Sequence, residues 1–170
     1  MGVTSAGLLL YRISRQQMVE VLIAHPGGPF WARKDEAAWS VPKGEYLPGE
    51  DALHAAYREF EEEVGLTVPE GEALFLGERR QPGGKRVSVW ALLGDLDVTN
   101  ASSNTFELEW PRGSGRVREF PEVDRVEWMS TEEARRKLVK GQVPFLDALL
   151  AAIGPGSGGS QGGSPKPAPG

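Results

Sequence analysis

The sequence contains no cysteine, which removes disulfides, thiolate-bound zinc and thiol nucleophiles from consideration. Histidine is scarce as well. His25 and His54 are the only two in 170 residues, too few for a histidine-rich metal site. No apolar run approaches the ~20 residues that a membrane-spanning helix needs, so no membrane partner is expected. The N-terminus has no basic segment ahead of its short apolar run, and Ala6 stands where a myristoylation signal carries Ser or Thr. Positive charge is in deficit: 19 Lys and Arg against 24 Asp and Glu leave a net charge of −5. General nucleic-acid binders carry a basic surplus, so no nucleic-acid polymer is expected as a partner. A small-molecule nucleotide remains compatible, because a bound divalent cation inverts the local sign of a site. Polar chemistry is left to carboxylates, lysines and arginines, in a chain that reads as soluble and cytoplasmic; its oligomeric state is not legible.

With 39% hydrophobic and 25% charged residues, the chain has the composition and length of one globular domain. Residues 1–153 read as that domain. From Gly154 onward the sequence GPGSGGSQGGSPKPAPG has nothing to bury, so residues 154–170 read as a Gly/Ser/Pro-rich flexible tail.

Ser5–Arg12 and Met18–Ala24 are β-prone apolar runs split by a polar segment, which predicts an early strand pair. Trp39-Ser40-Val41 reads as a short strand before Pro42-Lys43-Gly44. Residues 73–80 and 85–94 flank Gln81-Pro82-Gly83-Gly84 and predict a hairpin. A strand over Val123–Met129 leads into Ser130-Thr131-Glu132-Glu133, a capping-box start for a helix to about Lys140. A last helix is expected over Phe145–Ile153. The clearest helix is Asp51–Val64, where Leu53, Ala56, Tyr57, Phe60 and Val64 draw one apolar stripe and Gly65 offers a left-handed cap. Strands on both sides of this helix predict a mixed α/β domain.

The end of that helix reads Arg58-Glu59-Phe60-Glu61-Glu62-Glu63. Carboxylates at a helix C-terminus oppose the macrodipole, and Glu59 with Glu63 is a like-charged i, i+4 pair. Local helix energetics do not favour the arrangement. On a wheel of ~100° per residue, Glu59, Glu62 and Glu63 fall within about a 100° sector beside the apolar stripe, while Glu61 lies about 160° from Glu63. Hard cations such as Mg²⁺ and Mn²⁺ take oxygen ligands, so the converging trio suits one.

Residues Gly44 to Leu66 read GEYLPGEDALHAAYREFEEEVGL. This resembles the signature of the Nudix hydrolases (MutT-like), with Gly44, Glu50, Arg58, Glu59, Phe60, Glu62, Glu63, Gly65 and Leu66 at the specified positions and no gap. The resemblance implies a Nudix-type α/β/α sandwich with a mixed β-sheet. It also implies a pyrophosphohydrolase that cleaves a phosphoric anhydride bond in a nucleoside polyphosphate. By that resemblance Glu59, Glu62 and Glu63, with the carbonyl of Gly44, hold Mg²⁺ or Mn²⁺. Arg58 orients a carboxylate, Glu50 or Glu63, and Glu62 is the first candidate for general base, ahead of Glu63 and Glu59.

The substrate is less legible. The Pro42-Lys43-Gly44 entry resembles members acting on dinucleoside polyphosphates, and some acting on nucleoside triphosphates; Lys43 is a candidate contact for an outer phosphate. Arg79, with Arg80, Lys85 and Arg86, brackets a hairpin turn and is a second candidate. Arg33, with Lys34, is a third. Glu107 or Glu109 is a candidate late metal ligand or base. ADP-ribose or another nucleoside diphosphate derivative is an alternative substrate, and a non-catalytic nucleotide-sensing domain is an alternative of a different class.

Overall fold

The structure, a computed structural model, describes residues 3–154. The expected tail therefore lies outside the described residues, apart from Gly154. The elements run β1 (Thr4–Ile13), β2 (Val19–Pro26), β3 (Lys43–Glu45), α1 (Ala52–Val64), β4 (Leu74–Arg80), β5 (Arg86–Leu93), β6 (Thr105–Glu109), β7 (Val117–Pro121), β8 (Val123–Ser130), α2 (Thr131–Lys137) and α3 (Val143–Ile153).

The main sheet has the order β4-β5-β1-β2-β8, with β3 added to β1, and β6 and β7 form a separate two-stranded ribbon. β1 and β5 are parallel, while β1/β2, β1/β3, β2/β8 and β4/β5 are antiparallel, so the sheet is mixed.

Strand periodicity builds two cores. Ala6, Leu8 and Leu10 of β1, Leu22 of β2 and Leu92 of β5 face one side and pack on Ala55, Ala56, Phe60 and Val64 of α1. The alternate residues Leu9, Val21, Ile23, Val87 and Val89 face the other side and meet Ala134, Leu138, Phe145, Leu146 and Leu149 of the α2–α3 layer. The result is an α/β/α sandwich. None of its described helices is long and apolar enough to cross a membrane.

Three expectations need correction. The short strand before α1 is Lys43–Glu45, paired with β1, and not residues 39–41; Trp39 and Ser40 make isolated bridges to Leu138 and Ala24. α2 begins as expected, with the Ser130 side chain accepting from Glu133 N, but it stops at Lys137. The carbonyls of Arg136 and Lys137 are taken by the backbone N–H groups of Ala37, Ala38 and Trp39, and Leu138 turns extended and buried. The β6–β7 ribbon has no counterpart among the expected strands.

Candidate active site

α1 presents its acids where both its ends are pinned. Asp51 caps the N-terminus, its carboxylate accepting from His54 N at 2.9 Å. At the other end Gly65 adopts φ 79°, and a side chain there would strike the Ser102 backbone. Ser102 N donates to Val64 O at 2.8 Å and Asn104 N to Glu62 O at 3.2 Å. Carbonyls that a helix C-terminus leaves unpaired are thus satisfied by the segment over 102–104. Glu122 N in turn donates to Asn104 O at 2.8 Å.

This arrangement encloses a cavity of about 410 Å³ lined by Lys43, Gly44, Glu45, Glu59, Glu62, Glu63, Lys85, Asn104 and Glu122, with Ser5 beneath. All three expected acids reach it. A Cβ at Gly44 would overlap the Glu59 carboxylate, so a side chain there would push that carboxylate out of its place. Glu63 is half-buried, and the contact it accepts is from Lys43 N at 3.3 Å. Burial pushes its carboxyl up to about 7, against a weaker opposing pull from Lys43. Glu59 is raised too, by burial first and the charge of Glu62 second.

Arg58 organises the edge of the cavity. It donates to Glu50 at 2.7 Å and to Glu59 at 2.6 Å, and stands 3.9 Å from Glu62. The hydrogen bond from Arg58 holds Glu50 below its ordinary range. Of the two partners expected for Arg58, Glu50 is the one it engages, while Glu63 turns to the backbone of Lys43. Glu50 and Arg58 line a second, adjoining cavity of about 930 Å³ with Tyr46 and Leu47. Glu61 accepts from Val68 N and takes no place in the acid cavity, as the helical wheel requires.

Other candidates lie elsewhere. Arg79 is exposed on β4 and Arg33 is exposed in the turn after β2, and neither lines the acid cavity. From the basic hairpin it is Lys85 that reaches it. Glu107 and Glu109 are exposed on β6, with Glu109 accepting from Gly115 N. The late glutamate brought to the cavity is Glu122. Asn104 and Glu122 were missed because they are joined only through the unforeseen ribbon. His25 is fully buried, hydrogen-bonded to Asp124 at 2.8 Å and Lys34 O at 2.6 Å, and is structural.

The NUDIX domain family model matches residues 3–149 of this sequence. The chain belongs to the NUDIX family. An RNA pyrophosphohydrolase of Legionella pneumophila is 40% identical to this NUDIX protein over 138 residues, covering 76% of this chain and 77% of that one. A bis(5'-nucleosyl)-tetraphosphatase (asymmetrical) of Caenorhabditis elegans is 31% identical over 118 residues, covering 65% of this chain and 79% of its own. Among solved structures, a C. elegans Ap4A hydrolase binary complex is similar with TM-score 0.57 at 24% identity, covering 89% of this chain and 97% of that one. The NUDIX domain of Shewanella oneidensis NrtR, complexed with ADP ribose, reaches TM-score 0.62 at 13% identity, covering 91% and 90%. The two structures share the fold.

As a NUDIX hydrolase the protein acts on phosphoric anhydride bonds of nucleoside polyphosphates. NUDIX hydrolases generally use divalent metals, and the residues here fit one. The cavity offers carboxylate oxygens and no sulfur or imidazole, which is the donor set of a hard cation. A poorly solvated acid at Glu63 and a glycine that leaves room for the Glu59 carboxylate point the same way. No three acidic or histidine side chains among the described residues stand close enough to form a finished ion cage. Glu59 is turned to Arg58 and Glu63 to Lys43 N.

Proposed function

We propose that the acid cavity hydrolyses a pyrophosphate bond in a small nucleotide, a dinucleoside polyphosphate or nucleoside triphosphate, in the cytoplasm. Glu59, Glu62 and Glu63, with the Gly44 carbonyl, hold Mg²⁺ or Mn²⁺. The observation that carries the reading is the convergence of all three glutamates and Lys43 on one cavity. When bound, the metal neutralises developing phosphate charge and lowers the pKa of a water.

The protein's own groups do the rest. Arg58 keeps Glu59 and Glu50 in place and stops Glu59 from drifting into solvent. Lys43 supplies positive charge to an outer phosphate. The Glu62 side chain, 44% exposed and with no hydrogen bond to its carboxylate among the described residues, is free to accept the proton of the attacking water. Glu122 in the same cavity is the second candidate for that base. The name of the C. elegans relative, a tetraphosphatase, supports a long polyphosphate chain.

The 40% identical relative favours a second substrate reading, since its name specifies RNA. One panel separates these readings. Purified protein with Mg²⁺ or Mn²⁺ is given diadenosine tetraphosphate, ATP, ADP-ribose and a 5′-triphosphorylated RNA, and the products are identified by mass. Glu62→Gln is expected to lose about 10²–10⁴ in kcat while staying folded, the ordinary worth of a general base. Binding without product on every substrate would instead mark a sensing domain and end the hydrolytic reading.

A further inference from the structure

Between β5 and β8 the chain leaves the sandwich to form the β6–β7 ribbon, and the two faces of that ribbon differ. The register places Phe106 opposite Phe120 and Leu108 opposite Arg118, and Trp110 N donates to Arg116 O at 2.9 Å. These residues therefore share one face, while Glu107, Glu109 and Glu119 share the other. The loop after β2 extends the aromatic face. Phe30 meets Trp110 edge-on with ring centroids 5.3 Å apart, and 48% of Phe30 is exposed. Arg112 stands 6.0 Å from the Phe30 ring and Arg118 stands 5.6 Å from Phe120.

Arg112, Arg116 and Arg118 form no ion pair among the described residues, although three glutamates lie on the same ribbon. Unpaired guanidinium groups beside the exposed Phe30 ring and the half-buried rings of Trp110 and Phe120 suit single-stranded nucleic acid: bases stack on the rings and phosphates meet the charges, while Phe106 lies against Gly28 and anchors the ribbon. Position matters as much as chemistry. Asn104 and Glu122, the residues that enter and leave the ribbon, both line the acid cavity. From that root β6 runs five residues, about 17 Å at ~3.3 Å per residue. That is room for several bases, where a lone nucleotide with its phosphates in the cavity needs far less.

We infer that the aromatic, arginine-bearing face of the β6–β7 ribbon, with Phe30, holds the first nucleotides of a single-stranded RNA whose 5′-polyphosphate end enters the acid cavity. This rests on the hydrolase reading only in sending the polyphosphate end to that cavity. The opposite, glutamate-bearing face repels the strand and so fixes which side it follows. The net charge of −5 does not oppose the inference, because the three arginines are gathered on one small surface.

The test pairs binding with turnover. Full-length Glu62→Gln protein, with and without R112A/R116A/R118A, is titrated against a 3′-labelled, 5′-triphosphorylated 12-nucleotide RNA by fluorescence anisotropy at several salt concentrations. The same arginine changes in otherwise unaltered protein are assayed on diadenosine tetraphosphate. Expected are a loss of RNA affinity of tenfold or more, a salt slope smaller by about 2 at ~0.7 per phosphate contact, and diadenosine tetraphosphate turnover within twofold. Phe30→Ala is expected to weaken the RNA about tenfold by removing a stacking surface. Unchanged RNA affinity and salt slope in the arginine variant would overturn the inference, with turnover of the small substrate leaving the hydrolase reading intact. Equal losses on both substrates would overturn it too, by assigning the arginines to the polyphosphate itself.

Discussion

Glu63→Gln is expected to stabilise the metal-free protein while removing its response to metal. Glu63 is half-buried, and burial raises its carboxyl from an ordinary 4.5 to about 7. The folded chain thus holds this proton more tightly than the unfolded chain does. The contribution favours folding below about pH 4.5, fades as pH rises to 7, and above that leaves an ionised, poorly solvated carboxylate. At ~1.4 kcal/mol per tenfold in proton affinity the full difference is about 3 kcal/mol, and partial access to water reduces it to about 1–3 kcal/mol. Gln is isosteric and its Oε1 still accepts from Lys43 N, so the change removes the charge and keeps the contact. For a domain of this size that corresponds to a Tm higher by roughly 3–10 °C at pH 8 in chelator, with little difference at pH 5. Differential scanning calorimetry at both pH values, with and without millimolar Mg²⁺ or Mn²⁺, reads all of this. In the parent protein metal should raise the pH 8 Tm, and in the variant that rise should shrink. Equal melting of the two chelated proteins at pH 8 would refute the burial argument.

Gly44→Ala places a methyl group on the Glu59 carboxylate; turnover should fall at least tenfold with Tm changed by no more than a few degrees, as kinetics and a thermal melt would show. Arg58→Ala releases Glu50 and Glu59 together, so kcat should drop by more than tenfold and metal titration should show weaker affinity. Gln142 is buried, its Oε1 accepting from Val41 N at 2.8 Å and its Nε2 donating to Ser40 Oγ at 3.0 Å. Gln142→Leu orphans the Val41 N–H and should cost about 1–3 kcal/mol in urea unfolding.

What could be read without the structure was what the chain encodes locally. α1, its Gly65 cap and the sector shared by Glu59, Glu62 and Glu63 follow from helical spacing, and the helix begins within one residue of where that spacing puts it, with Asp51 serving as its cap. The β-prone apolar runs over 5–12 and 18–24 likewise announce the strand pair that β1 and β2 form. Glu122 escaped because nothing near it in sequence marks it. It reaches the cavity through Asn104, eighteen positions away, across a ribbon whose strands are rich in Glu and Arg and carry a weak β signal. Lys43–Glu45 escaped for the same reason, since its strand character comes from pairing with Ser5, Ala6 and Gly7 and not from its own residues. The helix over 131–137 ran long in expectation because the competitors for its last carbonyls, residues 37–39, lie a hundred positions upstream.

The clasp between the end of α1 and residues 102–104 has a mechanical meaning. Because Val64 and Glu62 are tied by main-chain hydrogen bonds to the segment that launches the ribbon, side chains can be exchanged anywhere along that arm without loosening its footing. Whatever the arm grips is delivered at a set reach from the glutamates. Selectivity can therefore drift by surface substitution alone, while the cleavage machinery stays in register.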